Sequence, residues 1–381
     1  MRDTRHLARQ LLPVLVAVAV VFVITGASLA TLPLYVHDTL GHGADVVGVV
    51  AGVQFAAALA SRIWAGRQTD RAGPKATLVT GLVMAGLAGV AYLGSVLAGG
   101  AWALGFLILG RALLGGAESF IITAGQSWGL VVAGPARAAL VIGWAGTALY
   151  LGLALGGPLG GLAYGTAGFA AVAWMTVVLP LVAGVGVIRM QAPAKPPAVT
   201  RTGSVLRAVL RPGLAMSLAG FGYSAMAFFA VLLAVERGWQ PSWAPFTLFA
   251  LALIGMRLGF GSLPDRLGGA RTALIFLSVQ GAGLALLALD GPLWIGLLAS
   301  LIAGMGYAFI YPALGREAVR AVDPARSGAA VAYYSACLDL SLALAGPLLG
   351  LIADRMGLDA VFAASAVVSV LALGLVTSIR R

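Results

Sequence analysis

The chain has 381 residues, of which 60% are hydrophobic and only 10% charged, against about 25% charged residues in soluble globular domains. A water-soluble fold cannot hide that much apolar surface, and 53 glycines suit helices that pack through small residues in a bilayer, since glycine weakens helices in water. The formal net charge of +11 does not point to nucleic acid, because the basic residues are scattered through short loops between apolar runs.

Met1 to Arg9 followed by an apolar run imitates a signal peptide, but the run from Leu11 to Val36 far exceeds a signal core of about 7–15 residues. It reads as a retained first spanning helix. A hydrocarbon core about 30 Å thick takes ~20 apolar residues per helix. Windows of that size predict spans over 11–36, 45–66, 76–98, 102–126, 137–162 and 168–188, then over 212–234, 242–262, 271–289, 292–314, 327–351 and 359–378. The expected fold class is therefore all-α integral membrane, with two six-helix halves at 1–188 and 212–381.

Between the halves lies a polar linker, 189–211, with Pro193, Pro196, Pro197 and five basic residues but no acidic one. An even number of spans puts both termini on one side. That side carries 21 of the 24 basic residues in or beside its loops, with Arg237 and Arg355 opposite and Arg111 within a span; the positive-inside bias makes it cytoplasmic.

The halves repeat. Arg62, Gly66, Asp70, Arg71 and Gly73 after the second span recur as Arg257, Gly261, Asp265, Arg266 and Gly268 after the eighth, at an offset of 195. Pro135-Ala136-Arg137 and Gly157-Pro158 recur as Pro324-Ala325-Arg326 and Gly346-Pro347, at an offset of 189. Duplication is the expected origin.

Twelve spans, a central basic linker and Gly66-x-x-x-Asp70-Arg71-x-Gly73-x-Lys75 together resemble the major facilitator superfamily over essentially the whole chain. Within it, the sequence looks like the bacterial efflux-permease group often labelled arabinose-efflux-like. The resemblance implies two six-helix bundles around a central cavity that opens alternately to each side, with substrate near the midplane, in a bacterial inner membrane. It also implies that helices one, four, seven and ten line that cavity. In the loop motif, glycines permit a tight turn, and Asp70 can accept charge-assisted hydrogen bonds from an Arg or a helix N-terminus of the other half. Gly66, Arg67, Asp70, Arg71, Gly73 and Lys75, with Asp265 and Arg266 of the second copy, are thus expected to gate the cytoplasmic side; the bland alternative is that their charges are solvated loop residues.

Three ionisable residues fall well within spans: Arg111 and Glu118 in the fourth and Asp339 in the eleventh. Each costs roughly 2.5–3.5 kcal/mol near a helix centre, so each should face the protein interior or water. Arg111 and Glu118 are seven residues apart, which puts them on one helix face about 10 Å apart. Gly110-Arg111-Ala-Leu-Leu-Gly115 resembles the family's fourth-helix motif, whose Arg is associated with proton coupling. Arg111, Glu118 and Asp339 are the expected proton-coupling set, with a structural Arg–Glu pair and a packing hydrogen bond at Asp339 as the alternatives.

Gly152, Gly156, Gly157, Pro158, Gly160 and Gly161 resemble the Gly-Pro motif associated with exporters of this family, although Leu162 stands where the final Gly is usual. They are expected to bend the fifth helix and pack it against a helix of the other half. Polar and aromatic residues on spans supply an expected substrate surface: Gln54, Gln126, Trp144, Tyr150, Tyr223, Gln280, Tyr307, Tyr311, Tyr333 and Tyr334. Trp128 reads as an interfacial anchor near the cytoplasmic boundary, and Trp239, Trp243 and Trp294 as belt residues near the outer surface.

No Gly-Lys-Ser/Thr phosphate loop is present, so the expected transport is secondary and needs no cofactor. His37 and His42 with Asp38 and Asp45 offer at most a weak metal site, and the lone Cys337 gives neither an intrachain disulfide nor a thiolate site. The leading expectation is proton-coupled export of a small organic solute by a monomer, with proton-coupled uptake of a sugar or organic acid as the alternative. An intramembrane enzyme lacks any convergent Ser/His or metal set, and a sensor without transport has nothing attached to relay a signal.

Overall fold

The structure, a computed structural model, describes residues 2–134, 138–193, 206–322 and 327–379. The motifs at 135–137 and 324–326 and most of the linker, 194–205, lie outside the described residues. The described residues form fourteen α-helices in order: α1 (Arg2–Leu34), α2 (Ala44–Ala72), α3 (Pro74–Leu97), α4 (Gly100–Ala133), α5 (Ala138–Ala167), α6 (Phe169–Ile188), α7 (Leu206–Glu236), α8 (Ala244–Phe260), α9 (Leu263–Leu267), α10 (Gly269–Leu287), α11 (Leu293–Tyr307), α12 (Ile310–Arg320), α13 (Ser327–Met356) and α14 (Leu358–Ile379). The described residues contain no strand.

Eleven spans are long and apolar enough to cross a membrane, α11 and α12 counting as one. The twelfth expected span is α8, with 17 residues, or about 25 Å at 1.5 Å per residue; a turn and the short α9 extend it. Exposed apolar side chains recur at helical spacing, for example Val83, Leu87, Val90 and Leu97 on α3. In water such stripes are liabilities; on a spanning helix they are lipid-facing surface.

Contacts group the chain into two units, residues 1–35 with 53–199 and residues 36–52 with 200–381. In the first, α1 packs on α5 and α6, and α3 on α4 and α6. The second repeats the scheme with α7 on α13 and α14, and α10 on α11 and α14. The internal repeat thus extends from motifs to architecture. Helix α13 starts and ends 189 residues after α5, both being 30 residues long. One break disturbs it: α4 runs uninterrupted for 34 residues, whereas its counterpart is split at Ala308 and Phe309 into α11 and α12.

Glycine sets the helix–helix distances. A Cβ on Gly152, Gly156 or Gly160 of α5 would lie 2.5, 2.3 or 2.5 Å from the nearest backbone atom of α1. The expected contact of this glycine face with a helix of the other half is corrected for these three, which pack on α1 of the same unit. Small residues on α1 decide it, since Ala19, Gly26 and Ala27 present backbone rather than bulk. In the second unit the equivalent α7–α13 seam is sewn by hydroxyls. Ser217 Oγ donates to the Cys337 carbonyl at 2.9 Å, and Ser341 Oγ donates to the Ser217 carbonyl.

The loop motif also differs from expectation. Residues 66–72 continue α2, and the reversal occurs at one residue, Gly73, with φ 88° and ψ 165°. Its N–H closes α2 on the Thr69 carbonyl at 3.0 Å, its own carbonyl opens α3 by accepting from Thr77 N–H at 3.3 Å, and Pro74 follows as the first helical residue. Nothing lies within 4 Å of a Cβ on Gly66, so no turn or close approach requires glycine there. The second copy repeats the device at Gly268, with φ 83° and ψ 155°, bonded to Pro264 and Thr272. Both lie in a region of backbone space that is essentially reserved for glycine.

Candidate functional site

In the first unit the chemistry gathers on α4. Glu118 is 5% exposed, and its Oε1 accepts hydrogen bonds from Thr25 Oγ1 of α1 and from Gln54 Nε2 of α2 at 2.7 Å. One glycine makes this possible: a Cβ on Gly115 would fall 1.9 Å from the Gln54 carbonyl oxygen. Backbone contact between α2 and α4 therefore delivers the amide to the carboxyl less than one turn away. Gln54, expected on the substrate surface, is thus a partner of Glu118. Thr25 was missed by sequence reasoning; its only signal is a hydroxyl inside the most apolar part of the first span.

Arg111 is 0% exposed, and Nε, Nη1 and Nη2 have no hydrogen-bond partner among the described residues. No hydrogen bond joins it to Glu118. The ring of Tyr92 on α3 packs on Gly110, the residue before it, where a Cβ would lie 2.5 Å from two ring atoms.

Of the other expected residues in this unit, Gln126 on α4 and Trp144 and Tyr150 on α5 are half-buried. Trp128 is 2% exposed, which corrects its reading as an interfacial anchor: it is an internal packing residue. Gly157 is buried and Pro158 half-buried within α5. Arg67, Asp70 and Arg71 are exposed on the last turns of α2. Lys75 has a definite role, because its Nζ donates to the Ile188 carbonyl at 2.7 Å and to that of Met190, neutralising the carbonyl end of α6.

In the second unit Gln280 on α10 is fully buried, and its Nε2 donates to the Ala219 carbonyl of α7 at 3.2 Å. Gly222 and Gly306 both abut it. Close by in sequence on α7 and α11, Tyr223 and Tyr307 have ring centroids 5.2 Å apart, with Phe249 of α8 at 5.9 and 6.2 Å from them. A second group joins α12 and α13: Tyr311 Oη pairs with Ser335 Oγ at 2.7 Å, and Tyr334 Oη donates to the Tyr311 carbonyl at 2.8 Å. Asp339 is 9% exposed and lies one turn beyond Ser335 on α13. Tyr333, next to Tyr334, instead points to the exposed face that also carries Leu340, Leu344 and Leu348.

Asp265 is on α9 with its side chain outside the described residues, and Arg266 is exposed. Trp239, expected in an outer belt, is 4% exposed and donates to the Gly291 carbonyl at 3.2 Å. Above its ring at 5.1 Å sits the Arg237 guanidinium, which is also 2.6 Å from Asp359. The belt reading is therefore corrected for Trp239, which serves an ionic clamp; Trp294 is exposed as expected. No group of three metal-capable side chains gathers among the described residues, and His37 pairs with the neighbouring Asp38 at 2.9 Å.

Comparison with known proteins agrees with this architecture. The family model of the Major Facilitator Superfamily matches residues 14–314 and 246–380. An uncharacterized MFS-type transporter of Salmonella typhimurium is 36% identical over 93% of this chain and 92% of its own length. The uncharacterized MFS-type transporter YhhS of Escherichia coli K12 is 36% identical over 93% of this chain and 89% of its own. Among solved structures, the nucleoside transporter NupG (D323A mutant) superposes with a TM-score of 0.82 at 13% identity, covering 98% of this chain and 100% of that one. An inward-facing bacterial homologue of the lysosomal transporter Spinster gives 0.79 at 13%, covering 98% and 96%; at such identities these two establish the fold alone. With the helical pairing repeated in two units and carboxyls held inside spanning helices, the chain belongs to the Major Facilitator Superfamily and is a multi-pass secondary transporter of small solutes rather than an enzyme.

Proposed function

We propose that this chain exports a small organic solute in exchange for protons by alternating access, with 1–188 and 212–381 as the moving halves and 189–211 as a cytoplasmic linker. The observation that carries this reading is Glu118, a carboxyl buried in a spanning helix and held by two neutral donors, Thr25 and Gln54. A buried carboxyl whose bonds to a hydroxyl and an amide can be remade in either protonation state is able to exchange a proton as access switches. Asp339, nearly as buried on α13, is the second carrier, with the Tyr311–Ser335 hydroxyl pair one turn away. Arg111 supplies the fixed charge between access events. Export is favoured by the likeness of Gly157-Pro158 and its flanking glycines to an exporter motif.

Candidate solute contacts are Gln126, Trp144, Tyr150, Tyr223, Gln280, Tyr307, Tyr311 and Tyr334. Gly66, Arg67, Asp70, Arg71, Gly73 and Lys75, with Asp265 and Arg266, form the cytoplasmic gate. The protein works as a monomer in the inner membrane, with both termini cytoplasmic. Proton flux in proteoliposomes of known orientation tests the reading, with sugars, organic acids and amphipathic cations as solutes. Solute-dependent flux that Glu118→Gln or Asp339→Asn abolishes supports coupling. Solute movement with no proton flux, unaltered by both substitutions, sinks it and leaves a uniporter; flux running only with solute uptake reverses the direction.

A further inference from the structure

The environment of Arg111 is unlike that of any other basic residue described here. It is the only described basic residue that is buried, at 0% exposure, and none of its three guanidinium nitrogens has a hydrogen-bond partner among the described residues. A carboxyl in that position can shed the cost of burial by taking up a proton. A guanidinium has no such escape, because it stays protonated in proteins. Its charge must be met by an acceptor during some part of the working cycle.

Glu118 is not hydrogen-bonded to Arg111 in this structure. It lies seven residues further along the helix, about 10 Å away, and its Oε1 is engaged with Thr25 and Gln54. Three more buried hydroxyls of the same unit, on Ser28, Tyr92 and Ser119, and the amide oxygen of Gln54 have no hydrogen-bond partner among the described residues, and the Tyr92 ring packs on Gly110, next to Arg111 in the chain. A hydroxyl can turn to accept as readily as to donate, whereas the guanidinium only donates, so of these groups Arg111 is the one whose need an acceptor alone can meet.

We infer that Arg111 anchors the anionic group of the transported solute, an organic acid carrying a single carboxylate or comparable oxyanion. This deepens the transport reading and rests on it. The guanidinium fork matches the two oxygens of an oxyanion in a bidentate pair, and one buried cation balances one negative charge, which disfavours dianions and cations. Because Arg111 is closed off in this conformation, the solute reaches it only when that face of α4 opens, so binding is tied to the access change.

The test measures thermal unfolding of the purified full-length chain against acetate and benzoate and against their uncharged counterparts, acetamide and benzamide, at constant ionic strength. Acids are expected to stabilise with apparent affinities at least ~10-fold above the amides, as a hydrogen bond to a charged group implies. Arg111→Gln should abolish the difference, and Arg111→Lys, which keeps the charge and loses the fork, should retain an acid preference of reduced size. Stabilisation by acids and amides alike, or by no acid, overturns the inference, as does an acid preference that survives in Arg111→Gln. Should Arg111→Gln fail to fold, Arg111→Lys carries the test, and an acid preference undiminished there overturns the inference. Failure of the proton-coupling reading is separable: acid-selective stabilisation without solute-driven proton flux upholds the anion site and refutes coupling, whereas flux without acid preference does the reverse.

Discussion

Replacing Gly156 by Ala measures how far the first unit depends on helix contact. The added Cβ would lie 2.3 Å from the Val23 carbonyl oxygen and 2.8 Å from both the Ala27 nitrogen and the Gly26 Cα. A carbon and a carbonyl oxygen normally approach to about 3.3–3.6 Å, so α1 and α5 must part by roughly 1 Å. The neighbours are backbone atoms of a long helix and cannot rotate away. Overpacking of this kind costs about 1–3 kcal/mol, against which alanine recovers up to ~1 kcal/mol of helix propensity; the net loss is roughly 1–2 kcal/mol. Gly143 on the same helix is the control, because nothing lies within 4 Å of a Cβ there, and Gly143→Ala should be neutral or stabilising by up to ~1 kcal/mol. Equilibrium unfolding in mixed detergent and SDS micelles reads both. Equal stability of the two variants would refute the argument, because it would mean that α1 and α5 do not touch at Gly156.

Gly73→Ala and Gly268→Ala should each cost about 1–3 kcal/mol, since both positions have positive φ with extended ψ; an unaltered unfolding midpoint in either would contradict the one-residue turn. Arg237→Met removes the 2.6 Å bond to Asp359 and the stack on Trp239. Because Asp359 is half-exposed and can rehydrate, the expected loss is about 1 kcal/mol, while Asp290→Asn, at a residue almost wholly in solvent, should change stability by less than ~0.5 kcal/mol. Lys75→Met should quicken amide exchange over the end of α6, residues 186–190, with a stability loss below ~1 kcal/mol; unchanged protection there would rule out the carbonyl-capping role.

Much of this molecule is legible along the chain, because the bilayer reads sequence nearly one helix at a time. Apolar windows place the spans, and the Gly-Asp-Arg and Gly-Pro repeats reveal the duplication. Helix ends were less legible: α2 runs six residues past its expected end at 66, because polar residues leaving the hydrocarbon need not leave the helix and nothing breaks it before Gly73. The split at Ala308 and Phe309 carries no proline or glycine at the break itself, so the tenth expected span read as continuous.

The site divides the same way. Apolar runs in the chain are enough to place Arg111, Glu118 and Asp339 inside spanning helices, since a charge in such a run is conspicuous and its cost demands an interior place. They do not say what meets those charges. That Glu118 accepts from Thr25 and Gln54, and that Arg111 has no hydrogen-bond partner among the described residues, depends on how helices far apart in the chain are brought together. The partners of Glu118 come from folding, through the contact of Gly115 with the Gln54 backbone: the distance between two helices is set by the smallest residues at their crossing, and which crossings form is a property of packing rather than of any one segment.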